Sequence, residues 1–161
     1  MIAAFLVLSA GCSKKTEPYA PTTPAPSAGI YDLNSRIPSS GAVASRQISA
    51  QVRTVVTSDN VNDQLEVRFT TIPKPATGEE HLLLTFIKAK GQPATAYRYF
   101  GGAYYLNAAP YALFTDDVAT IIPTPSGGFS GMFSAKCSEQ VGTPNQTDYT
   151  IVNGTFTNAR P

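Results

Sequence analysis

The sequence predicts an all-β, antiparallel fold: a sandwich or small barrel of about eight or nine short strands behind a disordered Pro-rich tether. Three observations carry this. Turn formers are abundant, with 12 Gly and 13 Pro in 161 residues, while charged residues make up only 14%. Apolar residues recur at every second position from about Ser45 onward. Clusters of Gly, Pro, Asn and Asp separate the resulting runs, and periodic stretches of strong helix formers are missing.

At the N-terminus, "MIAAFLVLSAGCSKK" carries an apolar run, Ile2 to Leu8, then Ser9, Ala10, Gly11 and Cys12. A bilayer-spanning helix needs about 20 apolar residues, so this run is too short. It fits the apolar core of a secretory signal with a small-residue cleavage site, giving a signal peptide over 1–11. "LSAGC" resembles the lipobox of bacterial lipoproteins. The resemblance implies that Cys12 is alkylated with diacylglycerol, becomes the first residue of the mature chain and is then N-acylated, typically with palmitate. Each buried methylene adds about 0.8 kcal/mol, so two or three acyl chains anchor without a transmembrane helix. Ser13 stands where the family's inner-membrane retention signal is usually Asp. The resemblance therefore implies the outer membrane of a Gram-negative bacterium. Lys14 and Lys15, in place of acidic residues, favour its periplasmic face over the cell surface.

Residues 12–44 read as lipid anchor and linker. Pro18, Pro21, Pro24, Pro26 and Pro38 remove backbone donors and favour an extended spacer. A single β domain is expected over 45–161. In "QISAQVRTVVT", Ile48, Ala50, Val52, Thr54 and Val56 share one face, with Ser49, Gln51 and Arg53 on the other. In "DQLEVRFTT", Leu65, Val67 and Phe69 alternate with Gln64, Glu66, Arg68 and Thr70. "TSDNVND" between them supplies turn chemistry, so the two predict an antiparallel hairpin with one wet face. Further strands are expected at "HLLLTFIKA", "TAYRYF", "AYYLN", "YALFT", "VATIIP", "GGFSGMFSAKC" and "DYTIVNGTF".

The last two of these carry a second resemblance. "GGFSGMFSAKC" followed by "YTIVNGTFTNAR" is similar to the C-terminal strand pair of small β-rich lipoproteins of Gram-negative bacteria that have no assigned activity. The physical reading of Asn153-Gly154 inside a strand is a bulge with positive φ.

Residues 97–111, "YRYFGGAYYLNAAPY", gather Tyr97, Tyr99, Phe100, Tyr104, Tyr105 and Tyr111. Two glycines suit a two-residue hairpin loop, so Gly101-Gly102 is expected to be one. Alternation then puts Tyr97, Tyr99, Tyr104 and Leu106 in the core, with Arg98, Phe100 and Tyr105 on the wet face. Arg98 is expected beside Tyr105 as a cation–π pair. The candidate ligand-binding residues are Arg98, Tyr105 and Tyr111.

Other chemistry is disfavoured. With a net charge of +1 and no basic run, nucleic-acid binding is not expected. Once Cys12 is lipidated, Cys137 is the remaining thiol, and its neighbours at every second position (Phe129, Gly131, Phe133, Ala135) predict burial. Glu79, Glu80 and His81 are contiguous, so a strand points them to opposite faces and they cannot converge on a metal. No cofactor motif is present, and one His beside one leftover Cys gives no enzyme constellation. The expectation is a lipid-anchored envelope protein with a non-enzymatic binding or structural β domain, whose partner is a glycan, a small apolar ligand or an envelope protein. The alternative is a lipocalin-like carrier, which needs a cavity of ~300 Å³ or more.

Overall fold

The computed structural model describes residues 26–76, 78–106 and 112–161. It contains β1 (Ala28–Ile37), β2 (Ala42–Ser58), β3 (Asn62–Ile72), β4 (Glu80–Ala89), β5 (Arg98–Leu106), β6 (Ala112–Leu113), β7 (Val118–Pro123), β8 (Phe129–Glu139) and β9 (Thr147–Ala159), plus a 3₁₀ turn at Ala94–Ala96. The fold is all-β: these nine strands form one antiparallel sheet in the order β6-β5-β4-β3-β2-β1-β9-β8-β7. No helix among the described residues is long and apolar enough to cross a membrane.

Alternation becomes burial along β2 and β3. Ile48, Ala50, Val52 and Thr54 are buried, as are Leu65, Val67 and Phe69. Their neighbours Arg53, Glu66, Arg68 and Thr70 lie on the outer face. The β2–β3 hairpin forms as expected, with the Asp59 carboxylate accepting from the Val61 and Asn62 amides across the turn. The sheet curls about its inner face until its two ends meet. Tyr97 packs on Phe129 with centroids 5.9 Å apart, the Tyr99 hydroxyl donates to Asp117, and the Thr115 amide donates to the Lys136 carbonyl at 2.9 Å. These contacts do not complete the ladder, so the sheet remains unclosed and sandwich-like.

The core centres on Tyr31, Phe69, Phe133 and Phe156, whose rings touch at centroid separations of 5.1 to 6.4 Å. Around it, β8 and β9 form a reciprocal ladder. Gly131-Met132-Phe133 runs against Gly154-Thr155-Phe156, so Gly131 faces Phe156 and Phe133 faces Gly154. A Cβ on Gly154 would lie 2.7 Å from the Phe133 ring, and one on Gly131 would lie 2.0 Å from the Thr120 carbonyl oxygen. Each glycine is the space that a neighbouring ring occupies. The ladder slips by one residue at Asn153, which has φ 54°, so the expected bulge is present.

Two expectations need correction. Part of the stretch read as linker is structure: β1 and the start of β2 fall inside residues 12–44, and β1 lies between β2 and β9 in the middle of the sheet. Its inner positions are Gly29, Tyr31 and Leu33, too few apolar residues to stand out beside so many prolines. Nor is Gly101-Gly102 a turn. Both residues lie inside β5, paired with Thr85 and Leu84, so "TAYRYF" and "AYYLN" contribute to one strand. Gly102 serves close approach instead, since a Cβ there would sit 2.5 Å from the Phe114 ring.

Candidate ligand-binding face

The outer side of β2–β5 places polar side chains in rows, because neighbouring strands share a register. One row joins Arg53 of β2 to Arg68 of β3 as direct cross-strand partners. The next joins Gln51, Thr70, His81 and Tyr105 across all four strands. Between and around these rows lies an open depression of about 420 Å³, lined by Arg53, Glu66, Arg68, Thr70, His81 and Tyr105 over Leu83.

The charges here are unevenly matched. Arg68 donates from Nε to Glu66 Oε2 at 2.9 Å and also pairs with that carboxylate through Nη2. Glu66 Oε1 accepts from Gln64 Nε2 at 3.1 Å. Among the described residues Arg53 has neither an ion pair nor a side-chain hydrogen bond. Like charges directly opposite each other cost a sheet roughly 0.2–1 kcal/mol. The Arg53–Arg68 pair is therefore a local cost that nothing within this face offsets for Arg53.

His81 lies between Thr70 and Glu79: Nδ1 is 3.3 Å from Thr70 Oγ1, and Nε2 is 3.3 Å from Glu79 Oε2. His81, with Lys74, holds the exposed Glu79 carboxyl below the usual carboxylate range. The line Thr70–His81–Glu79 has the connectivity of nucleophile, base and orienting group. Among the described residues of β3 and β4 it lacks the oxyanion donors of an acyl-transfer site. β3 and β4 are interior strands, so their amides are engaged in the ladder and do not converge as donors for an oxyanion.

The sequence-derived candidates divide. Tyr105 lines the depression. Arg98 does not: it pairs with Ile87 while Tyr105 pairs with His81, six residues further along β4, about 20 Å at ~3.3 Å per residue. The expected Arg98–Tyr105 contact is thus overturned by the register, and Arg53 and Arg68 supply the cationic groups in its place. Tyr111 and Cys12 lie outside the described residues. Cys137 is buried as expected, and burial, with Glu139 nearby, pushes its thiol pKa up to about 12.

Glu80 faces the opposite way from His81, into the interior. Its side chain is fully buried, and Oε1 accepts from Arg46 and from the Tyr104 hydroxyl. Burial first, and the Glu80 carboxylate next, raise the Tyr104 hydroxyl above the ordinary tyrosine range. A buried carboxylate needs a compensating charge, and the half-exposed Arg46 supplies one.

Sequence reasoning placed Arg53, Glu66, Arg68 and Thr70 on the wet face but missed that they meet. The signal was there in the turn: its length fixes which residue of β2 opposes which residue of β3. A second hollow, about 440 Å³ over β7–β9, is lined by Val118, Thr120, Met132 and Thr155 among others and carries no charged group. Comparison with known protein families, with curated proteins and with solved structures gives no match for this chain.

Proposed function

We propose that this is a lipid-anchored envelope protein that works by binding, and that its binding surface is the outer face of β2–β5. The anchoring rests on the "SAGC" motif ending at Cys12. The binding surface rests on one observation: an exposed arginine without a side-chain partner among the described residues stands directly opposite a second arginine, beside a row that ends in Tyr105. Sequences usually avoid such a pairing unless a ligand makes use of it. The inward positions favour this reading over a carrier, since aromatic rings fill the space between β1, β3, β8 and β9.

Two measurements test the proposal. Cys12→Ser protein should leave the membrane fraction; retention there contradicts the anchor. A panel of envelope glycans, lipids and proteins should be probed with the wild-type chain and with Tyr105→Ala. Signals that disappear with Tyr105→Ala at an unchanged melting temperature support the surface. Identical patterns for the two chains contradict it.

A further inference from the structure

We infer that the ligand of this face is an acidic oligosaccharide, a chain of at least two sugar rings that carries an oxyanion. The inference rests on the binding-face reading above and names its ligand.

The Arg53–Arg68 pair asks for an anion. The two arginines stand on directly opposed residues; Arg68 commits Nε and Nη2 to Glu66, and the planar donor fork of Arg53, not committed among the described residues, matches the paired oxygens of a carboxylate or a phosphate. Glu66 already pairs with Arg68, so one positive charge of the pair, that of Arg53, is left uncompensated within this face. One oxyanion of an acidic chain balances it.

The remaining groups suit sugar hydroxyls and ring faces. Glu66 accepts hydrogen bonds, Thr70 both donates and accepts, and Tyr105 and His81 offer planar rings. Neighbouring strands are about 4.8 Å apart and neighbouring same-face rows about 7 Å. An anion held at Arg68 is therefore roughly 8 Å from His81, and one at Arg53 is roughly 16 Å from Tyr105. One pyranose ring is too short for either distance; two linked rings reach the first, and a longer chain reaches the second. The depression is open at the surface, so a chain can extend beyond it at either end.

The test is titration calorimetry on the full chain at low salt with tetragalacturonate, a phosphorylated mannose oligomer, neutral cellotetraose, galacturonate monomer and a penta-glutamate peptide. At least one acidic oligosaccharide should bind about tenfold or more tighter than cellotetraose, the size of one charge-assisted hydrogen bond. The monomer should bind more weakly than the tetramer. Arg53→Thr should remove the preference for acid, and added salt should weaken binding of the acidic oligomer only. Which acidic oligomer binds tells carboxylate from phosphate.

Equal affinity for acidic and neutral oligomers, or acidic binding untouched by Arg53→Thr, overturns the inference. If Tyr105→Ala still abolishes neutral binding in that case, the face stands and only its acidic ligand falls. If no probe distinguishes the wild type from Arg53→Thr or Tyr105→Ala, both fall. Tight penta-glutamate binding that depends on Arg53 overturns the saccharide in favour of an acidic peptide. Melting temperatures of both variants confirm that each is folded.

Discussion

The β8–β9 ladder and the β2–β3 face are built from the same element, the cross-strand pair, and use it in opposite ways. On β8–β9 each large residue meets the absence of one: Phe133 covers Gly154, and Phe156 covers Gly131. The pairing satisfies itself, and nothing from outside would improve it. On β2–β3, Arg53 meets Arg68, a pairing of like charges that costs stability. The same sheet thus matches its partners closely in one place and sets like charges opposite each other in another. Where local choices agree with the fold they stabilise it, and where they disagree a ligand is the first explanation to test.

The largest expected effect falls on the ladder. Gly131→Ala drives a methyl to within 2.0 Å of the Thr120 carbonyl oxygen, which is backbone and cannot rotate away. It should cost about 3 kcal/mol or more, the upper end for overpacking, in a denaturant melt. A stable Gly131→Ala protein would mean that β7 and β8 lie further apart than described. Gly154→Ala meets a side chain instead, so it should cost about 1–3 kcal/mol, and Phe133→Leu in the same chain should recover part of that. Additive losses would contradict the Gly–Phe pairing.

Cys137 gives a check of intermediate size on the inward face of β8. With its thiol pKa pushed up from 9.0 to about 12, little thiolate exists near pH 8. A thiol reagent should label native protein slowly and denatured protein fast; rapid native labelling would place Cys137 on the outer face. Because the folded-state value is raised, any stabilisation linked to this proton is whole below pH 9.0 and is lost as pH rises towards about 12. The smallest effect belongs to the charged face. Glu66→Gln removes the partner of Arg68 and should lower stability by about 0.2–1 kcal/mol at low salt, with the loss shrinking as salt is added. A loss that salt does not change would mean that Glu66 acts through packing.

Much of this was legible in the sequence, and the failures have physical causes. Alternation identified the inner faces of β2 and β3, because a half-buried strand shows a strict period of two. β1 was hidden because its inward row begins with Gly29 and includes only Tyr31 and Leu33 as large residues. The stretch around Gly101-Gly102 was right in outcome for a wrong reason. A two-residue turn and a one-residue bulge both return Tyr99 and Tyr104, five residues apart, to the same face. The register slips by one between Phe86 and Thr85, so Tyr104 is buried and Tyr105 faces outward, as the hairpin also required. What the two readings do not share is the neighbourhood. A turn places Arg98 beside Tyr105, and a bulge leaves them at different ends of β5. The candidate site therefore depended on register, which composition and periodicity do not carry.

The central claim, that the Arg53–Arg68 row is kept for an external anion and not for stability, is tested most directly by melting wild type and Arg53→Thr at low salt, with and without tetragalacturonate. Without ligand, Arg53→Thr should be as stable as wild type or more stable by about 0.2–1 kcal/mol, because it removes a like-charge pair and supplies a good strand former. With ligand at about a hundred times its dissociation constant, wild type should gain about 2.7 kcal/mol and Arg53→Thr much less. An Arg53→Thr protein that is less stable than wild type and gains as much from the ligand would contradict the account.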